Sequence, residues 1–246
     1  MRAAAAPQPQ GPAAFQAPAA RTGTVRRMLR GAALAGMALI AAALAQPAAA
    51  EADASGFDFY VLSLSWSPTY CEARGARAAD EPQCALTRPY AFVVHGLWPQ
   101  YERGFPEYCE NPAPYVPNGL VRSMLDIMPS KGLVIHEWKK HGTCSGLDAT
   151  GYFKAIRAAR DKVVVPPAFQ RLDDYRMVSP AQIEDAFRAA NPGLQPDMIS
   201  VDCDKRRLRE VRICLSRENL AFRPCPEVDR RACTLPRMVM PPVRGN

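Results

Sequence analysis

Ile199 to Ser216, ISVDCDKRRLREVRICLS, decides the fold class of this chain. Apolar residues alternate with polar ones on either side of a charged turn near Lys205 to Arg207, the period-two pattern of two strands joined as a hairpin. An earlier stretch of the same kind, Phe57 to Trp66 (FDFYVLSLSW), reads as an opening strand. A third apolar run, Tyr90 to Val94, ends where His95-Gly96 breaks it, so His95 is expected at a strand end.

The segments between these strands carry helical spacing. GLVRSMLDIM after Pro117-Asn118 reads as a short amphipathic helix stopped by Pro129. Leu133 to His141 reads as a helix with Gly142 near its end, and Tyr152 to Val164 as another, with Tyr152, Phe153, Ile156 and Val163 at helical intervals. Ser179-Pro180 supplies an N-cap and a first-turn proline for a helix over SPAQIEDAFRAANPG. Glu72 to Arg88 is a polar excursion, and the Pro-, Gly- and Asn-rich residues 101–116 are loop. Strands and helices are segregated rather than alternating, which predicts a single α+β domain with an antiparallel sheet and several helices.

The first fifty residues stand apart, with five arginines and no acid. MLRGAALAGMALIAAALAQPAAA, from Met28, has the basic start, short apolar run and Ala-x-Ala ending of a secretory signal peptide, with cleavage expected before Glu51. The run is interrupted by Gln46-Pro47 and is shorter than a membrane span needs. Residues 1–26 are low-complexity, so translation starts at Met28 or the leader is long, and Arg26-Arg27 also permits twin-arginine export. The expected organisation is residues 1–50 as extension and signal, residues 51–246 as the catalytic domain, and a secreted or periplasmic product with no membrane association after cleavage.

Over the whole chain 31 Lys and Arg against 24 Asp and Glu give +7, but with the leader's five arginines set aside residues 51–246 carry 26 against 24. That balance does not describe a protein that coats nucleic acid, although it allows a local cationic cleft. All eight cysteines, Cys71, Cys84, Cys109, Cys144, Cys203, Cys214, Cys225 and Cys233, fall after residue 50. An even number behind an export signal implies disulfides, and no C-x-x-C pair suggests zinc instead. Counting leaves the pairing open.

The three histidines, His95, His136 and His141, lie in two short segments, VVHGLWPQ and IHEWKKHGTC. The second resembles a zinc helix, but its histidines stand at i and i+5, about 140° apart around an ideal helix, and would not chelate one ion. Glu137 and His141 do share a face, as do His136 and Lys140. Cleavage of RNA by its own 2′-hydroxyl needs a base, an acid and a cation beside the crowded phosphorus. Imidazole supplies both protonation states near neutrality, a lysine supplies charge, and Glu137 beside His141 would orient it.

VVHGLWPQ together with IHEWKKHGTC resembles the paired active-site segments of the ribonuclease T2 family, and YVLSLSWSPTYC and VDCDKRRLREVRICL agree in order. The resemblance runs from about Phe57 to about Cys233. It implies a secreted, disulfide-bonded, metal-independent endoribonuclease without cofactor, a monomer that cleaves single-stranded RNA through a 2′,3′-cyclic phosphate. It implies His95 and His141 as the acid-base pair, with His141 taking the 2′-hydroxyl proton and His95 protonating the leaving oxygen in the first step, though the two exchange roles in the second. His136 would contact phosphate, and Glu137 and Lys140 would stabilise the transition state. Trp98 matches a base-stacking aromatic and could equally be core; Gln100 stands where some relatives carry an acidic base-reading residue, and Tyr101 is a weaker stacking candidate. The implied bridges are Cys109 with Cys144, Cys203 with Cys233, Cys214 with Cys225 and Cys71 with Cys84. Two other classes are a noncatalytic secreted RNA-binding or effector protein of the same fold, which the full His, Glu and Lys set argues against, and a zinc hydrolase, which the histidine spacing argues against.

Overall fold

Residues 56–244 are described in a computed structural model. The expected leader, signal peptide and cleavage before Glu51 lie outside the described residues. Strands β1 (Phe59–Trp66), β2 (Phe92–Gln100), β4 (Ile199–Cys203) and β5 (Leu208–Ser216) form one antiparallel sheet in the order β2-β1-β5-β4. A separate two-stranded ribbon pairs β3 (Arg176–Val178) with β6 (Met238–Met240). The α+β class read from the sequence is the one observed.

The two faces of the sheet are unequal. Tyr60, Leu62 and Leu64 of β1, Leu97 of β2, Ile199 and Val201 of β4, and Val211, Ile213 and Leu215 of β5 enter the main core. Helices α3 (Lys131–Lys140), α4 (Ala149–Lys162) and α5 (Pro180–Ala190) supply Val134, Trp138, Tyr152, Phe153, Ile156, Ile183 and Phe187 to it. On the opposite face Phe59, Val61 and Cys214 form a small second apolar cluster with Cys225, Val228 and part of Trp98. That thinly covered face leaves room for a cleft.

Caps fix where the helices begin. Ser130 Oγ accepts from Leu133 N at the start of α3. Ser179 and Gln182 close a capping box on α5, as the Ser-Pro start signal predicts. Two other expectations need correcting. The helix expected over GLVRSMLDIM is only α2 (Asn118–Ser123), and Met124 to Ile127 are turn. The polar excursion after β1 begins with a helix, α1 (Ser67–Arg74), which lacks an apolar stripe but carries a proline in its first turn.

The larger correction concerns His95, because β2 does not stop there but continues to Gln100. Ser63 of β1 faces Gly96 while Leu64 faces Val94, so His95 is the extra residue of a β-bulge. Strict alternation from Leu97 would turn His95 toward the main core; the bulge lets Val94 and Leu97 both enter it and releases His95.

The bonded cysteine pairs are Cys71–Cys84, Cys109–Cys144, Cys203–Cys233 and Cys214–Cys225, and no described cysteine is free. The second ties the loop after β2 to the turn after α3. A backbone hydrogen bond from Tyr108 N to Lys140 O, 2.8 Å, reinforces it.

Candidate active site

Helix α3 lies beside β2, and Gly96 is what lets them approach. A Cβ at that position would overlap the Glu137 carboxylate and the Trp98 indole nitrogen. With only hydrogen there, Trp98 Nε1 donates to Glu137 Oε2 at 2.8 Å. The other oxygen of Glu137 stands 3.6 Å from His95 Nε2. Expected beside His141, the Glu137 side chain instead serves His95 and Trp98; its link to His141 is the helical backbone bond from His141 N to Glu137 O, 2.9 Å. Tyr152 donates to Leu97 O at 2.9 Å and so anchors β2 just past the bulge.

Trp98 is half-buried between the two histidines, its ring centroid 5.2 Å from that of His95 and 5.4 Å from that of His141. The indole packs against the small second core and also lines the cleft. His95, Gln100, His136, Glu137, Lys140 and His141 line the same cleft of about 260 Å³. Gln100 donates to Pro99 O, and Lys140 Nζ is 3.6 Å from Glu107. Tyr101 is exposed and does not line the cleft; Phe105, four residues on, does, 6.5 Å from the His141 ring.

Sequence reasoning missed Glu210 and Arg212 of β5. His95 Nδ1 is 2.5 Å from Glu210 Oε1, and Arg212 donates to Glu210 Oε2 through Nε at 3.1 Å and a terminal nitrogen at 2.8 Å. Arg212 also lies over the Trp98 ring, 5.5 Å from its centroid. Both alternate with buried Val211 and Ile213, so they read as solvent-facing residues of a strand, yet Glu210 is 3% exposed. The sequence carries no signal for this, because the central place of β5 is fixed only by the sheet order.

These contacts set opposite electrostatics for the two histidines. Burial works to lower the His95 pKa, but the hydrogen bond and charge of Glu210, helped by Glu137, raise it above the ordinary 6.5 despite Arg212. His141 is 6% exposed, with Nδ1 buried and unpartnered. Burial first, then Lys140, His95 and His136, pushes it down to about 3. His136, more open, is lowered by burial and by Lys140 and His95. Burial lifts Glu137 to about 7 against the pull of His95 and its bond from Trp98. Glu210, though burial opposes it, is held down to about 2 by His95 and Arg212.

A second depression of about 420 Å³, lined among others by Thr69, Tyr70, Gln83 and Ser130, meets the first at His95, Arg209 and Glu210. The site therefore has a histidine whose charged form Glu210 favours, a histidine whose charged form burial disfavours, and space on both sides of the former.

The family model described as "Ribonuclease T2 family" matches residues 57–225. A ribonuclease of Aeromonas hydrophila is 33% identical over 206 residues, 79% of this chain and 90% of that one. Ribonuclease DdI of Dictyostelium discoideum is 26% identical over 204 residues, 72% of this chain and 82% of that one. Among solved structures, RNase NT in complex with 5′-AMP superposes with a TM-score of 0.56 at 24% identity, covering 76% of this chain and 97% of the other.

Proposed function

The chain belongs to the Ribonuclease T2 family, and from that premise we propose that it is a metal-independent endoribonuclease that cuts single-stranded RNA by transesterification. The observation that carries this reading is the pair of imidazoles on either side of Trp98, one hydrogen-bonded to the Glu210 carboxylate and the other buried.

In the first step the neutral His141 accepts the 2′-hydroxyl proton and the 2′-oxygen attacks phosphorus. His95 gives its proton to the 5′-oxygen as that P–O bond breaks, leaving a 2′,3′-cyclic phosphate and a 5′-hydroxyl. In the second step the roles reverse: His95 activates water and His141 returns its proton to the 2′-oxygen as the ring opens. His136 and Lys140 supply positive charge at the phosphate, Lys140 exchanging Glu107 for it. Glu137, buried against His95, offsets the charge that His95 gains in the second step.

Trp98 and Phe105 offer aromatic faces to one base, and Gln100 polar contacts to its edge. The depression beyond His95 accommodates the nucleotide on the leaving side. Both placements require unstacked bases, which favours single strands. Residues 51–246 form the catalytic domain behind a cleaved leader, and the enzyme acts as a secreted or periplasmic monomer. Incubation of purified protein with RNA and with DNA of matched sequence, with and without EDTA, tests the reading. RNA cleavage that survives EDTA, with DNA intact, is expected; loss of cleavage with EDTA, or cutting of DNA, overturns it.

A further inference from the structure

We propose that Glu210 is a positioning residue for His95: its carboxylate, clamped by Arg212 two residues along the same strand, takes Nδ1–H and thereby presents Nε2 to the scissile phosphate. The proposal rests on the ribonuclease reading for its role in turnover.

The two carboxylate oxygens of Glu210 serve different partners. Oε2 takes both hydrogen bonds from the Arg212 guanidinium, at 3.1 and 2.8 Å. Oε1 takes His95 Nδ1 at 2.5 Å and the Ser65 hydroxyl at 3.4 Å. An ionised carboxylate only accepts, so the ring nitrogen facing it must be the donor in either charge state of the imidazole. The mobile proton is then confined to Nε2, which faces the cleft and Glu137 Oε1 at 3.6 Å. An acid buried this deeply is kept ionised by His95 first and by Arg212 second, and Asp202, 3.6 Å from Arg212, braces the guanidinium in turn.

The bulge explains why a rigid partner is needed. His95 is the residue of β2 without a counterpart in the ladder with β1. Its ring must be fixed from elsewhere, and β5, bonded between β1 and β4 in the middle of the sheet, is a firm place from which to do so. The charged and titratable groups around His95 are Glu210 and Arg212 from β5, Glu137, His136 and Lys140 from α3, and His141 just after that helix, with Arg209 in the same wall.

Two substitutions have opposite expected signatures. Glu210→Gln keeps the shape and a carbonyl acceptor but removes the charge. Arg212→Met leaves Glu210 in place and removes a cation that disfavours protonation of His95. Ring-nitrogen NMR titration of the three histidines follows His95 directly, with His136→Gln and His141→Gln for assignment. In the wild type His95 carries Nδ1–H and titrates above 6.5. In Glu210→Gln its titration and the falling limb of kcat/KM against pH move together to lower pH, and kcat drops about 10- to 100-fold with KM within about threefold. In Arg212→Met the titration moves to higher pH. If Glu210 merely satisfies Arg212 as a structural ion pair, both variants lose thermal stability while His95 titrates as in the wild type, and the proposal is overturned. Should Glu210→Gln fail to fold, the direction of the Arg212→Met shift decides. Titration that responds as expected in a protein that never cleaves RNA removes the ribonuclease reading and leaves the pairing of Glu210 with His95 standing.

Discussion

Gly96→Ala adds one methyl group at the point where three parts of the site meet. The backbone at Gly96 is not in the left-handed region, so alanine is conformationally permitted and the effect is steric. The new carbon meets the Glu137 carboxylate and the Trp98 indole nitrogen, the two ends of the 2.8 Å hydrogen bond. Glu137 is 1% exposed, so any shift of its carboxylate disturbs the side chains packed around it. Losing the hydrogen bond to the buried Glu137 carboxyl group, about 1–3 kcal/mol, and overpacking, about 1–3 kcal/mol, overlap rather than add. A net loss of about 2–4 kcal/mol lowers Tm by roughly 5–15 °C for a domain of this size. Displacing Trp98 and Glu137 by about 1 Å costs roughly 100-fold in kcat, because both contact His95. The assay pairs thermal unfolding by circular dichroism with steady-state cleavage of a short RNA oligonucleotide. Gly119→Ala is the control: nothing lies near its Cβ, and alanine in the first turn of α2 should be neutral or slightly stabilising. A Gly96→Ala enzyme with kcat within threefold of wild type would refute the reasoning, since the Glu137–Trp98 contact would then have no bearing on turnover.

The rate of cleavage should be bell-shaped in pH. His141 must be neutral, so kcat/KM rises as pH climbs past its depressed value of about 3; His95 must be charged, so it falls as pH passes the raised value above 6.5. A rate still climbing at pH 9 contradicts the assignment of this pair. Replacing Cys109 and Cys144 by serine opens a loop of sequence separation 35 and should lower stability by about 4 kcal/mol, read as the midpoint of urea unfolding. Because Cys144 stands three residues from His141, kcat should fall further than the folded fraction does; an unchanged kcat per folded molecule counts against a mechanical link.

The legible parts of the fold were those written locally. Ser179-Pro180 and Gln182 contain the whole capping box of α5, and the Ile199–Ser216 hairpin carries its own turn and alternation. The three-residue strands β3 and β6 were not legible, because each exists only through a partner some sixty residues away. The same distinction divides the site. His95, His136, Glu137, Lys140 and His141 could be named from two short segments, and the cleft gathers all five. The bulge at His95 depends on the spacing of β1 opposite, and so the residue looked like a strand end. Glu210 and Arg212 were hidden by an ordinary alternation, since only the packed sheet reveals that this acid is buried and faces a histidine 115 residues earlier. Helical geometry alone puts Glu137 beside His141, whereas the glycine gap across the strand draws its side chain to Trp98 and His95.

The central claim is that the 2′-hydroxyl is the nucleophile and the two histidines move its proton. An RNA oligonucleotide with one 2′-deoxy residue, end-labelled and incubated with the enzyme in EDTA, tests it at single-bond resolution. The expected result is cleavage on either side of the modified position, 2′,3′-cyclic phosphate and 5′-hydroxyl ends at each cut, and an intact bond 3′ to the deoxy residue. Cleavage at that bond, or 5′-phosphate ends anywhere, would contradict it.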